Sequence, residues 1–250
     1  MKLSASHLEI GYEGKSILND INFEAESGDL IVVVGKNGSG KSTLLKTITS
    51  IIPKKSGNLY FDTMDITGFG ANQIVQYISA VLTDKLEVPL RVKEILQLGR
   101  QGFTDAFDRL TDKDNEVIQE VSEMLNIKHL WDRKIDELSD GERQKVMIAR
   151  ALVQQTPILI LDEPTTHLDL ENKAIILKIL KYVSKEERKI VIFSTHDINL
   201  VLPFAKKLWL IDKQKFQVIE MQRPSGTKLK IFDKEHIEYD TKCKCFRVAK

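Results

Sequence analysis

The sequence predicts an α/β fold with a mostly parallel sheet, and three stretches carry that prediction. Leu30-Ile31-Val32-Val33-Val34 is an unbroken apolar run that passes into Gly35-Lys36-Asn37-Gly38-Ser39-Gly40-Lys41-Ser42 and then into a helix-like segment from Thr43. A second run, Ile158-Leu159-Ile160-Leu161, ends in Asp162-Glu163-Pro164. A third, Ile190-Val191-Ile192-Phe193-Ser194-Thr195, ends at His196-Asp197. Short continuous apolar runs are the pattern of strands buried on both faces, and helical segments between them imply a doubly wound sheet. In such sheets a ligand sits outside the carboxyl ends of the strands, where all three polar groups fall.

Taken in order, Leu8 to Tyr12 and Ile17 to Ala25 alternate apolar and polar residues about a turn at Glu13-Gly14-Lys15, which predicts an N-terminal antiparallel β flap. Tyr12, at the end of its first strand, is either a core aromatic or a ring able to stack on a base. The glycine-rich stretch after Val34 has the form of a phosphate-binding loop. Its glycines permit turn conformations that aim successive N–H groups at an anion. Lys41 supplies a point charge for phosphates, Ser42 a hydroxyl for Mg²⁺, and the helix that follows adds the positive end of its dipole. Pro53 to Gly57 reads as a turn, Asn58 to Asp62 as a short strand and Ile78 to Leu82 as a core strand. From Val92 to about Ala151 the period becomes helical, as in Val92-Ile95-Leu96 and Val117-Val121-Met124-Leu125, with Thr111 or Asp112 capping the middle helix. After the second apolar run come a helix from about Leu170 to Val183, the third run, and a hairpin from Lys206 to Glu220. Residues 221–250 are charged and weakly patterned, and their function is not readable.

The whole chain of 250 residues suits one domain: a nucleotide-binding core over 1–83 and 156–220, a helical subdomain over 84–155 and a C-terminal extension over 221–250. Lys and Arg total 37 against 36 Asp and Glu, which gives no electrostatic reason to expect nucleic acid. No apolar run is long enough to span a bilayer and the N-terminus lacks a signal-peptide core, so membrane association is expected to go through a partner. Cys243 and Cys245 are too few for a disulfide framework and suit a reducing compartment. With His236 the only nearby further ligand, ordinary thiols are expected there rather than a metal site.

Asp162 closes a buried strand where a carboxylate can hold Mg²⁺, and Glu163 beside it can orient or deprotonate an attacking water. His196 stands at the end of the next buried strand, where it can contact a terminal phosphate. Leu138-Ser139-Asp140-Gly141-Glu142-Arg143-Gln144 reads, taken alone, as a capped helix start with acids in its first turn. That same segment closely resembles the signature of ABC ATPases, with Asp140 where glycine is commonest and Glu142 where glutamine is commonest. The resemblance extends from Leu3 to about Glu220. Gly35 to Ser42 matches Walker A, Ile158 to Glu163 matches Walker B with its catalytic glutamate, Thr166-His167-Leu168-Asp169 matches the D-loop, His196 the switch histidine and Tyr12 the adenine-stacking aromatic.

The resemblance implies a P-loop NTPase core of ABC type that binds ATP and Mg²⁺ through Tyr12, Gly35, Lys36, Asn37, Gly38, Ser39, Gly40, Lys41, Ser42 and Thr43. It implies Glu163 and His196 as catalytic groups and Ser42 and Asp162 on the metal. It further implies a homodimer in which Ser139, Asp140, Gly141 and Glu142 of one copy face ATP held by the other, with Asp169 in the D-loop. A closer likeness to ATPases of iron–siderophore, haem and cobalamin importers rests on the signature, Thr166 to Leu170, Leu208-Trp209-Leu210 and the ending Cys245 to Val248. It implies a place on the cytoplasmic face of the cell membrane, bound to permease subunits and served indirectly by an extracytoplasmic substrate-binding protein. A soluble ABC-type ATPase not coupled to transport is the alternative. One position departs from the family: where a glutamine normally follows the strand ending at Leu82, the sequence offers Thr83 and Asp84, of which Thr83 is the expected metal-side group.

Overall fold

The computed structural model describes residues 1–82, 89–101, 110–221, 237–240 and 245–248. Two strands open the chain, β1 (Lys2–Tyr12) and β2 (Lys15–Glu26), antiparallel with Leu3 opposite Ala25, Ala5 opposite Phe23 and Leu8 opposite Ile21. All six of these side chains are buried, so the alternation that predicts the flap also sets its register. The pair begins nearer the N-terminus than expected because Leu3 and Ala5 continue the same inward face. On its other edge β1 takes β4 (Ser56–Phe61), which pairs in turn with β5 (Met64–Asp65).

The second sheet has six strands: β3 (Leu30–Gly35), β6 (Ile78–Val81), β7 (Ile158–Leu161), β8 (Ile190–Ser194), β9 (Lys207–Asp212) and β10 (Lys215–Glu220). Their order is β10-β9-β3-β8-β7-β6, parallel throughout except for the β9–β10 hairpin. Alternate residues serve two cores. Ile31, Val33, Ile158, Ile160, Ile190 and Ile192 pack toward the flap and toward Leu44, Leu45 and Ile48 of helix α1 (Lys41–Ile48). Val32, Val34, Leu159, Leu161, Val191 and Phe193 pack toward the helices on the other face. That two-sided burial is why these strands read as unbroken apolar runs.

A one-turn helix, α2 (Ala71–Ile74), precedes β6. Between β6 and β7 lie α3 (Val92–Arg100), α4 (Asp112–Met124) and α5 (Asp140–Leu152), with 3₁₀ turns at Lys128–Leu130 and Ile135–Glu137. Thr111 is the N-cap of α4: its hydroxyl accepts from Asp114 N–H, and Asp114 reaches back to the Thr111 backbone. After β7 come α6 (Leu170–Lys185), β8 and the short α7 (Ile198–Val201). Within the unpatterned C-terminal stretch, β11 (Ile237–Asp240) and β12 (Cys245–Val248) form an antiparallel pair. Each spans only four residues, too short a stretch for a pattern to separate from chance. Among the described residues no helix is long and apolar enough to cross a membrane.

Candidate functional site

The strand order brings three loop ends together: β8 lies between β3 and β7, so the segment after Ser194 runs between the glycine-rich loop and Asp162-Glu163. Gly35 ends β3 where a Cβ would stand 2.5 Å from Ser39 Oγ and 2.7 Å from the Ile211 carbonyl, so only glycine lets the loop close there. Gly40 caps α1 with φ of 107°, a left-handed conformation that suits glycine. Lys41, 5% exposed, folds its ammonium into the loop and donates to the carbonyls of Gly35 at 2.9 Å and Lys36 at 3.2 Å. Burial pushes its pKa down, against the pull of Glu163 and Asp162, which face it with negative charge. Lys36, Asn37 and Gly38 are exposed at the loop's tip, Ser42 is half-buried, and Thr43 is buried in the first turn of α1.

Asp162 is buried at the end of β7 and accepts a 2.6 Å hydrogen bond on Oδ1 from the Ser194 hydroxyl. The same hydroxyl accepts from the Glu163 backbone N–H at 2.8 Å. Glu163 itself has φ of 53°, a left-handed conformation uncommon outside glycine. That turn carries its side chain to His196, whose Nε2 is 2.6 Å from Oε1, while the Thr166 hydroxyl donates to Oε2 at 3.0 Å. Glu163 is thus held from both sides. Of the groups singled out from the sequence, Lys41, Asp162, Glu163 and His196 come together in this way.

The others lie elsewhere. Ser139 is the N-cap of α5 in a reciprocal box: its hydroxyl accepts from Glu142 N–H at 3.3 Å and donates to Glu142 Oε2 at 2.7 Å. The bonds that the Glu142 carboxylate accepts, from the Ser139 hydroxyl and then from the Ser139 backbone N–H at 2.9 Å, hold it below the usual carboxylate range. Asp140 pairs with Arg143 at 3.6 Å, and a Cβ on Gly141 would touch the Asn172 amide at 3.2 Å. Asp169 caps α6 by accepting from Asn172 N–H at 2.8 Å. Tyr12 ends β1 and is 53% exposed. Thr83 and Asp84 lie outside the described residues.

A family model described as ABC transporter matches residues 18–166, more than half of the chain. The chain belongs to the ABC transporter family. The iron(3+)-hydroxamate import ATP-binding protein FhuC of Bacillus subtilis is 35% identical over 231 residues, covering 92% of this chain and 83% of that protein. The molybdate import ATP-binding protein MolC of Haemophilus influenzae is 32% identical over 216 residues, with 86% and 81% covered. A solved ABC transporter described as of metal-chelate type, in an inward-facing conformation, superposes with a TM-score of 0.76 at 31% identity, covering 88% of this chain and 83% of that one. This ABC transporter cassette hydrolyses ATP in support of transport.

The residues present fit a nucleoside triphosphate. Ser39 Oγ is buried with no hydrogen-bond partner among the described residues, at the loop where a phosphate oxygen would meet it. Ser42 and Asp162 offer a hydroxyl and a carboxylate, the kind of hard oxygen donors that Mg²⁺ takes beside water and phosphate ligands. Sequence reasoning missed Ser194 and the individual part of Thr166. The signal for Ser194 is a hydroxyl closing an otherwise apolar strand, Ile190-Val191-Ile192-Phe193-Ser194, beside a strand that ends in two acids.

Proposed function

We propose that this chain is the ATP-hydrolysing subunit of a metal-chelate importer and works as a homodimer on the cytoplasmic face of the membrane, bound to permease subunits and served by an extracytoplasmic binding protein. The observation that carries it is the meeting of Lys41, Asp162, Glu163 and His196 at adjacent ends of the parallel sheet. Gly35 to Thr43 would cradle the phosphates through backbone N–H groups, with Lys41 turning from the loop carbonyls to the phosphate oxygens. Tyr12 would stack on the base. Ser42 and Asp162 would hold Mg²⁺, which supplies charge neutralisation for the phosphates when bound; Thr83 would act on it through water. Glu163 would take the proton of the attacking water, and His196, already on Glu163 Oε1, would steady the carboxylate. Ser139 to Glu142 of the second copy would close the site, with Asp169 at the seam between copies.

Iron-chelate cargo is supported by the likeness to the hydroxamate importer's subunit, and molybdate by the likeness to MolC. Glu163→Gln should cut hydrolysis at least about a hundredfold while ATP with Mg²⁺ drives a stable dimer on size-exclusion chromatography. A variant that stays monomeric or turns over at the wild-type rate refutes the assigned role. Co-purification from the native membrane, reconstitution, and uptake of ferric hydroxamate against molybdate decides the cargo; molybdate uptake alone would reassign it.

A further inference from the structure

We infer that Ser194 is a positioning residue for hydrolysis, whose one hydroxyl sets both Walker B acids at once. A backbone N–H can only donate and an ionised carboxylate only accepts, so the two bonds at Ser194 fix their own direction: Glu163 N–H into Oγ at 2.8 Å, and the hydroxyl proton onward to Asp162 Oδ1 at 2.6 Å. The parallel register explains the reach, since Leu161 lies opposite Phe193 and the next residues on each strand are Asp162 and Ser194. Ser194 is fully buried, so solvent has no access to replace either bond. The left-handed turn at Glu163, with φ of 53°, is a strained conformation kept where surrounding contacts over-determine it. Ser194 supplies one such contact through the Glu163 N–H. That same turn delivers the Glu163 carboxylate to His196 and Thr166. Removing the hydroxyl therefore takes away the Oδ1 bond that sets the Asp162 carboxylate and leaves the Glu163 N–H without this acceptor, while the phosphate loop keeps its own bonds.

The inference rests on the proposed roles of Asp162 and Glu163, and the experiment separates the two. Ser194→Ala and Ser194→Thr are compared with the wild-type chain and Glu163→Gln in steady-state hydrolysis. Calorimetric binding of a non-hydrolysable ATP analogue with and without Mg²⁺ accompanies the kinetics. Ser194→Ala should lower kcat by roughly ten- to a hundredfold, as misplacing catalytic groups does, with little change in KM. It should also shrink the gain in nucleotide affinity that Mg²⁺ confers, leaving Mg²⁺-free binding as in the wild type. Ser194→Thr, which keeps a hydroxyl, should recover most of both. Wild-type kcat and Mg²⁺ gain in Ser194→Ala, equal impairment in Ser194→Thr, or failure of Ser194→Ala to fold would each overturn the positioning role. Full activity in Glu163→Gln would instead overturn the roles of the acids themselves.

Discussion

Lys41 is a cation kept where its own fold disfavours the charge. Its ammonium is buried against loop carbonyls, and burial lowers its pKa from 10.5 despite the nearby acids. By linkage, the folded state holds this proton less tightly than the unfolded chain, so the cost is fully present below the lowered folded pKa. Stability recovers only as pH rises from the lowered value toward 10.5. A residue that lowers stability while facing an anion-binding loop is expected where binding offsets the cost. Lys41→Met keeps the length and drops the charge. At pH 7 its melting temperature without nucleotide should equal or exceed that of the wild type. Saturating ATP, worth about 2.7 kcal/mol at a hundred times Kd, should stabilise the wild type alone. Differential scanning fluorimetry with and without ATP is the check; a variant that melts earlier yet still responds to ATP contradicts both parts.

Among elements, helices α3, α4 and α5 are tied by one buried knot. Arg100, at the end of α3, pairs with Asp114 of α4 at 2.6 Å and donates to the Val153 carbonyl, the C-cap of α5, at 2.7 Å. Burial raises the Asp114 pKa, but bonds from the Thr111 hydroxyl and N–H and from Arg100 outweigh it and hold the carboxyl below its usual 3.8. A depressed carboxylate stabilises above its unfolded pKa, and the contribution is lost as pH falls through the folded value. Asp114→Asn should therefore cost roughly 1–3 kcal/mol in denaturant unfolding at pH 7, with the gap closing in acid below the folded pKa of Asp114. A gap that stays constant with pH would mean that charge is not what Asp114 contributes. These helices are legible beforehand because Val92, Ile95, Leu96 and Val117, Val121 repeat at helical spacing, and Thr111 stands at the start of α4. The knot is not, since nothing local marks Arg100 as the partner of a residue fourteen positions on. The β11–β12 pair escapes for the related reason that its pairing, not its composition, makes it a hairpin.

For the whole molecule, the apolar runs disclose which strands end in chemistry, but not that β8 lies between β3 and β7. Neighbours in a parallel sheet are joined by crossovers, and no local pattern records the order. That order is what puts Ser194 against Asp162 and His196 against Glu163, which is why the individual groups were legible and their contacts were not. Within this chain the Ser139 hydroxyl bonds to Glu142, and Gly141 packs beside Asn172 at the start of α6, while Lys41 faces Asp162 and Glu163. If Ser139 completes the site of a second copy, two inactive variants should repair one another. Lys41→Met spoils a copy's own phosphate loop, and Ser139→Arg spoils only what it presents to its partner, at a helix-capping cost of about 0.5–2 kcal/mol that the fold tolerates. In a mixed dimer, the loop of the Ser139→Arg copy meets the intact Ser139 of the Lys41→Met copy, forming one complete site. Each variant alone should be inactive, and mixing them should restore measurable hydrolysis that rises with protein concentration. A mixture as inactive as its parts would mean that Ser139 serves its own chain or that one complete site does not turn over. Full activity of Ser139→Arg by itself would remove the segment from catalysis altogether.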